Sequence, residues 1–158
     1  INRKYVRFFI VCFQLLCYTI CMKENLIHYR TCVCNINYHM VWSVKYRQKI
    51  LTPDIEEYLQ ELVQQIAEDK GFTVHLFECG EGDHVHCFVS APPKLYISQI
   101  VKYLKGISVK ILLKEYPELK KFLWKGHLWN GAYFCETIGS TSEENILKYI
   151  ERQKNCQL

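Results

Sequence analysis

Two histidines, His84 and His86, lie two residues apart in a segment whose composition predicts a β-strand. Because side chains alternate across a strand, both imidazoles point to one face of a sheet, while Val85 and Cys87 point to the other. Two imidazoles on one face can chelate a divalent metal ion, although two partly buried structural histidines would produce the same pattern. A zinc site that recruits Cys79 and Cys87 is disfavoured, since Cys87 faces away from the histidines.

A tyrosine and a glutamine, Tyr149 and Gln153, lie four residues apart near the end of the chain. In the helix predicted there, residues at this spacing share one face. Taken alone, the pair is typical of an aromatic core residue followed by a surface glutamine. A functional interpretation makes Tyr149 a nucleophile and Gln153 a neutral oxygen ligand to a metal held by the histidine pair. Such a ligand set leaves coordination positions open for a phosphate, as a Lewis-acid site requires.

These residues need a scaffold, and hydrophobic periodicity, turn residues and helix caps predict its elements. In chain order they are a strand at 35–46, a helix that begins at 53 and ends at Gly71, strands at 72–79 and 84–91, a helix at 97–115, a strand at 133–138 and a last helix at 141–154. The order β-α-β-β-α-β predicts an α+β fold of the ferredoxin-like (RRM-like) type, an antiparallel sheet with helices on one face. The C-terminal helix that carries Tyr149 follows this core.

The composition excludes a disordered chain and conceals a strong internal asymmetry of charge. Of the 158 residues, 49% are hydrophobic and 14% are aromatic, which is enough to build a core. The formal net charge is only +4, but residues 53–83 hold nine acids against one lysine, and residues 94–125 hold eight lysines against two acids. The lysine-rich segment indicates an anionic partner for this part of the chain.

The N-terminal segment and the cysteines bear on where the protein works. Residues 8–21 form an apolar run behind three basic residues, a pattern typical of a signal peptide or a short membrane anchor. Met22 follows the run directly, so we interpret residues 1–21 as an upstream or non-native extension and residues 22–158 as the functional domain.

The nine cysteines include no pair with the two-residue gap of zinc or redox motifs. This predicts free thiols in a reducing cytoplasm and no membrane association.

Together, the two motifs resemble a known family, the one-tyrosine HUH transposases of single-strand insertion sequences. The resemblance rests on a His-hydrophobic-His strand followed by Tyr-Ile-x-x-Gln on a C-terminal helix, and it covers about residues 25–155. Further matching segments are residues 38–47, Asp83 before the histidines, Lys105-Gly106-x-Ser108, Leu128-Trp129 with Gly131-x-Tyr133-Phe134, and Thr137-x-Gly139. The chain departs from the family pattern at Gly82, where proline is common.

The resemblance implies a mechanism for these residues. His84, His86 and Gln153 would hold Mg²⁺ or Mn²⁺ on the scissile phosphate of single-stranded DNA that carries hairpins at the element ends. Tyr149 would attack the phosphorus, leaving a 5′-phosphotyrosine and a free 3′-hydroxyl, and no base for its proton is evident. Family members act as homodimers whose active sites are shared between subunits, so residues 139–142 would direct the helix that carries Tyr149.

Basic and aromatic residues in the lysine-rich segment and after the first strand are the candidates for DNA contacts. They are Lys45, Arg47, Lys102, Lys105, Lys110, Trp129 and Tyr133. Lysines would follow the phosphates, while Trp129 and Tyr133 would stack on unpaired bases. For any single lysine, a solvated helix face is a sufficient explanation.

Three other functions stay open on the residues alone. A domesticated relative within the same superfamily would nick repeat hairpins without mobilising an element. A non-catalytic nucleic-acid-binding module would use the same fold without chemistry, although the chain lacks the aromatic strand signatures of RNA-recognition motifs. A membrane-anchored protein rests only on residues 1–21.

Overall fold

The computed structural model describes residues 26–28 and 30–139. The extension at 1–21 and the last predicted helix, with both Tyr149 and Gln153, lie outside the described residues. The chain divides into two compact units, Ile1–Asn35 and Ile36–Leu158. Within the first unit, two short strands that were not predicted, β1 (Ile27–His28) and β2 (Val33–Cys34), pair antiparallel.

A four-stranded antiparallel sheet forms the centre of the second unit. Its strands are β3 (Asn37–Ser43), β4 (Thr73–Gly80), β5 (His84–Ser90) and β6 (Phe134–Ile138), arranged in the order β4-β5-β3-β6. Every neighbouring pair is antiparallel. β3 and β5 are therefore the central strands, and β4 and β6 lie at the edges of the sheet. This order confirms the predicted ferredoxin-like arrangement.

Two helices, α1 (Pro53–Lys70) and α2 (Ile97–Glu115), connect the strands over the predicted spans. α1 begins with proline at its first position, where the missing N–H needs no partner. It ends at Gly71, whose left-handed backbone (φ 74°) directs its N–H to the carbonyl oxygens of Ala67 and Glu68. Within the described part of the chain, no helix is long and apolar enough to cross a membrane.

Both helices contribute to a core that lies on one face of the sheet. The two helices bury apolar residues at helical spacing: Ile55, Leu59, Leu62 and Ile66 in α1, and Ile100, Leu104 and Leu112 in α2, whereas Ile111 is only partly buried. Met40 and Trp42 of β3 and Val85 and Cys87 of β5 join the same cluster. Since alternate residues of these strands point into the core, the residues between them, including the two motif histidines, point to the opposite face.

The first strand of the sheet ends earlier than the predicted span of 35–46. Residues Lys45–Arg47 form a 3₁₀ turn in which Tyr46 adopts a left-handed backbone with φ 60°. The N–H groups of residues 44 and 45 donate to the carbonyl oxygens of Asp83 and Leu128, respectively, each at 2.7 Å, and Val44 forms an isolated antiparallel bridge with Trp129. The aromatic and β-branched composition that favours a strand continues past this point, so composition alone could not locate the turn.

Alanine substitutions at two glycines should change stability in opposite directions. Gly71 has a positive φ, so Gly71→Ala should lower the free energy of unfolding by about 1 kcal/mol. Gly106 lies inside α2 with no atom within 4 Å of an added Cβ. Gly106→Ala should therefore raise the free energy of unfolding by roughly 0.5–1 kcal/mol. Urea unfolding followed by circular dichroism measures both, and shifts of the same sign would contradict these backbone assignments.

Candidate active site

His84, the first residue of β5, is held by the acidic residue before it. Nδ1 of His84 lies 2.6 Å from Oδ1 of Asp83, so the Nδ1–H group donates to the carboxylate. The other carboxylate oxygen accepts a hydrogen bond from Nε of Arg47 at 2.9 Å, and Asp83 is only 3% exposed. With the Nδ1 proton engaged in this way, the neutral ring presents Nε2 as the nitrogen whose lone pair can bind a metal.

The space for this imidazole is provided by Gly80, the last residue of β4 and the cross-strand neighbour of His84. A Cβ at position 80 would come within 3.0 Å of three ring atoms of His84, including Nε2. Any side chain there would displace the ring, since protein interiors do not tolerate such overlaps. The turn between the predicted strands at 72–79 and 84–91 therefore also shapes the site.

His86 is supported by a third histidine, His39 of β3. Nδ1 of His86 lies 3.1 Å from Nε2 of His39, and the two rings are 5.3 Å apart between centroids and nearly parallel, at 12°. One nitrogen must donate and the other accept. If His86 donates from Nδ1, its Nε2 holds the lone pair that a metal requires, and His39 is the neutral acceptor.

Burial keeps these two rings in the neutral form. Burial lowers the pKa of His86 to about 4, and the neighbouring His39 and His84 act in the same direction. Burial also lowers the pKa of His39, against the opposite effect of Glu136, its cross-strand neighbour in β6. Neutral imidazole is the form that binds metal ions and also the form that can accept a hydrogen bond, so near neutral pH His86 can serve as a ligand and His39 as its acceptor.

The two motif histidines are close enough to act on one ion. Their ring centroids are 5.2 Å apart, on the sheet face away from the helices. Across residues 26–28 and 30–139, no group of three or more His, Cys, Asp and Glu side chains could hold a metal ion. The described residues therefore fit two ligands of a divalent site. A further ligand must be another residue type or lie elsewhere, and the predicted ligand Gln153 is outside the described residues.

The cysteines nearest to the histidines do not form a zinc site with them. Cys87 is fully buried on the helix side of the sheet, as strand alternation predicted. Burial raises the pKa of both the Cys79 and the Cys87 thiols, which disfavours the thiolate that a metal needs. Five cysteines of the described segments are free thiols, in agreement with the sequence prediction.

Trp129, predicted to stack on DNA bases, packs into the core. It is 7% exposed, and its ring packs edge-on against Trp42 with centroids 6.0 Å apart. The indole N–H donates to the hydroxyl oxygen of Ser108 in α2 at 3.0 Å. These contacts anchor the loop before β6 to the core and leave little of the ring exposed, while the stacking role of Trp129 stays a prediction.

Lys105, predicted to contact DNA, supports the same loop. Its Nζ donates to the carbonyl oxygens of Asn130, Gly131 and Ala132 at 2.5, 3.3 and 3.2 Å. Burial also lowers the pKa of Lys105. Its ammonium is therefore already occupied by the chain that leads into β6, and its first role is to position that chain.

Four of the predicted DNA contacts come together at one cavity. Lys102, Lys105, Trp129 and Tyr133 line a volume of about 460 Å³ between α2 and residues 126–133. Tyr133 is 41% exposed, with Nζ of Lys105 at 5.9 Å from its ring centroid. Lys110 is exposed further along α2.

The other two predicted DNA contacts, Lys45 and Arg47, lie in the turn after β3. Arg47 is paired with Asp83 through Nε, although its side chain remains 61% exposed. Nζ of Lys45 lies 5.1 Å from the ring centroid of Tyr46. Arg47 therefore contacts the carboxylate that holds His84, and Lys45 lies two residues earlier in the same turn.

Three residues that position the histidine pair, His39, Gly80 and Asp83, have no assigned role in the sequence motifs. Asp83 could have been found, because a carboxylate beside a metal-binding histidine is a common partner. His39 lies 47 positions from His86 along the chain. The contact of Gly80 with His84 depends on cross-strand register, so no local pattern signals either of these two residues.

Comparisons with known proteins assign the chain to a family. The family model described as "Transposase IS200 like" matches residues 32–153. The ISDra2 transposase TnpA of Deinococcus radiodurans is 39% identical over 121 residues, which cover 77% of this chain and 86% of that protein. The transposase for insertion sequence element IS200 of Salmonella typhimurium is 28% identical over 131 residues, which cover 83% of each chain.

Solved structures agree with this assignment. A candidate transposase from Deinococcus radiodurans matches with a TM-score of 0.65 and 32% identity, over 84% of this chain and 98% of that chain. A REP-associated tyrosine transposase bound to a REP hairpin matches with a TM-score of 0.56 and 14% identity, over 78% and 70%, and shows the shared fold alone. Fold and sequence thus define a transposase with a ferredoxin-like sheet. The chain belongs to the IS200-like transposase family, as the sequence motifs predicted.

The buried, neutral state of His86 predicts that acid destabilises the fold. Its pKa is lowered from 6.5 to about 4 in the folded protein, so between these values the unfolded chain binds more protons. The free energy of unfolding should be greatest above pH 6.5 and fall by up to about 3 kcal/mol as the pH drops to 4. Urea unfolding in metal-free buffer at several pH values measures this slope.

The variant His86→Gln is the control for this titration. It removes one of the groups that resist protonation, so the slope between pH 6.5 and 4 should become shallower than in the parent protein. A slope that stays unchanged in His86→Gln would show that other groups cause the acid sensitivity.

Proposed function

We propose that this protein is a metal-dependent transposase that cuts and rejoins single-stranded DNA at insertion-sequence ends through a 5′-phosphotyrosine intermediate. One observation carries the proposal. His84 and His86 lie on one sheet face, and a neighbouring group engages Nδ1 of each ring. Two histidines arranged only for packing would not need a separate partner behind each one, whereas metal-binding histidines commonly have one.

The proposed metal is Mg²⁺ or Mn²⁺, bound by His84, His86 and Gln153. When bound, the ion would neutralise charge on the oxygens of the scissile phosphate. Asp83 and His39 would keep the Nδ1 proton on each imidazole and so direct Nε2 toward the ion. Gly80 would leave the space in which the first ring can take this orientation.

Tyr149 is the proposed nucleophile. Its hydroxyl oxygen would form a bond to phosphorus while the bond from phosphorus to the 3′ oxygen breaks, so that the 3′ oxygen leaves and becomes a hydroxyl. An ordinary tyrosine has a pKa of about 10, so the tyrosine proton must be accepted during attack. The covalent link preserves the phosphodiester energy, and a 3′-hydroxyl of another strand can reverse the reaction and join to it.

Hairpin-bearing single-stranded DNA is the proposed substrate, and the protein would act in the cytoplasm. A fold relative is a tyrosine transposase bound to a REP hairpin, which supports hairpin recognition by this fold. Exposed Lys102 and Lys110 on α2 and the cavity beside Tyr133 offer cations and an aromatic ring to such a strand.

A covalent-adduct assay tests the chemistry. The full chain is incubated with Mg²⁺ and 3′-labelled single-stranded hairpin DNA from the flanks of its gene, and denaturing gels show any labelled protein. We expect an adduct that disappears with EDTA and in Tyr149→Phe, and that falls at least about 100-fold in His84→Ala because an activating ligand is lost.

The same assay separates the competing functions. An adduct that persists in Tyr149→Phe would refute the assignment of the nucleophile. Binding of the hairpin with no adduct would favour the non-catalytic binding module. Cleavage of the hairpin without strand joining would favour the domesticated nickase.

We also propose a homodimer in which the Tyr149 helix of one subunit completes the histidine site of the other. Mixing Tyr149→Phe subunits with His84→Ala subunits tests this arrangement, since each variant alone lacks one essential group. After subunit exchange, one composite site in about four should be intact, so roughly a quarter of the parent adduct should return. If each subunit uses its own tyrosine, no mixture can contain an intact site and the adduct will stay absent.

A further inference from the structure

Two aromatic side chains, Tyr46 and Trp124, form an exposed patch that the mechanism above does not use. Tyr46 is 63% exposed and Trp124 is 51% exposed. Their ring centroids are 6.3 Å apart and their planes meet at 78°, so the two rings are in edge-to-face contact. Large aromatic rings are usually at least partly buried, and two in contact on a surface indicate a site for a partner.

Each ring of the patch has its own cation. Nζ of Lys45 lies 5.1 Å from the centroid of Tyr46, and Nζ of Lys125 lies 4.5 Å from the centroid of Trp124. Single-stranded DNA alternates a flat apolar base with an anionic phosphate, and a ring beside an ammonium complements both parts. When a nucleotide binds, each flexible lysine can move to a phosphate and leave a ring face to the base.

The backbone under the patch is strained. Four non-glycine residues of the described chain have positive φ, and three of them are here: Tyr46 at 60°, Arg47 at 54° and Lys125 at 52°. A left-handed backbone is unfavourable for residues with a Cβ, and such strain persists where the surroundings enforce it, often at functional sites. These turns direct both rings outward.

The patch is attached to the candidate metal site. Arg47 donates through Nε to Oδ2 of Asp83, whose Oδ1 accepts the proton of His84 Nδ1. The N–H of residue 44 donates to the carbonyl oxygen of the same aspartate at 2.7 Å. The turn that carries Tyr46 is thus fixed to the residue that orients the proposed metal ligand His84.

We propose that Tyr46 and Trp124, flanked by Lys45 and Lys125, form a stacking site for an unpaired base of the DNA strand close to the scissile phosphate. This inference rests on the proposed function and identifies where the single strand is held. The site recognises a base through its aromatic face, so it requires unpaired DNA and accepts different bases.

Binding measurements with and without bases test the proposal. The full chain in EDTA is titrated with a fluorescent oligodeoxythymidylate of about 12 nucleotides and with an abasic strand of equal length and charge. Trp124→Ala should weaken binding of the oligodeoxythymidylate about tenfold and leave binding of the abasic strand unchanged, because only a base can stack. Trp124→Phe should keep most of the affinity.

Two further variants complete the test. Tyr46→Asn should produce a similar selective loss, since asparagine tolerates the left-handed backbone and removes the ring. Phe122→Ala, which removes a nearby ring that is 57% exposed, should bind like the parent protein. An equal loss on the abasic strand, an equal loss in Phe122→Ala, or no loss in Trp124→Ala would each overturn the stacking site.

These results are independent of the adduct assay. Selective loss of base binding in a protein that forms no adduct would support the stacking site and refute the proposed chemistry. Adduct formation by a protein whose Trp124→Ala variant binds the oligodeoxythymidylate normally would refute the stacking site alone.

Discussion

The antiparallel pairing of β3 with β5 is the constraint on which the candidate site depends. It sets Val41 opposite His86. His39, two residues before Val41, is on the same face of the sheet, and its Nε2 lies 3.1 Å from Nδ1 of His86. A slip of one residue would turn the histidines of one strand into the core and break this contact. The core prevents such a slip, because Val85 and Cys87 must remain under the helices to stay out of water.

Asp83 links this sheet face to the turn after β3. Its carboxylate accepts hydrogen bonds from His84 and Arg47, and its backbone carbonyl accepts a third from the N–H of residue 44. A buried carboxylate with charged and polar partners is costly to disturb, so the residues around it are held in one arrangement. The histidine pair and the aromatic patch consequently share one rigid support, as the proposed positioning of a DNA strand against a reacting centre requires.

The elements that could be predicted are those whose boundaries depend on local chemistry. The span of α1 follows from Pro53 and Gly71, and the turn between β4 and β5 follows from its glycines. The end of β3 could not be predicted, because the turn that follows it is fixed by bonds from residues 44 and 45 to Asp83 and Leu128, far away in the chain. The structural roles of Trp129 and Lys105 could not be predicted for a related reason: partners in α2 and the loop before β6 occupy the indole N–H and the ammonium.

By itself, the amino-acid sequence determined the family, the order of the elements and the face shared by His84 and His86, because motif spacing and strand alternation are local properties of the chain. Only the tertiary structure decided that His39 stands behind His86, that Gly80 leaves room for the His84 ring, and that Tyr46 meets Trp124. Those contacts join residues from different strands and turns. Their geometry is set by register and by the packing of the core, and neither can be read from any short stretch of sequence.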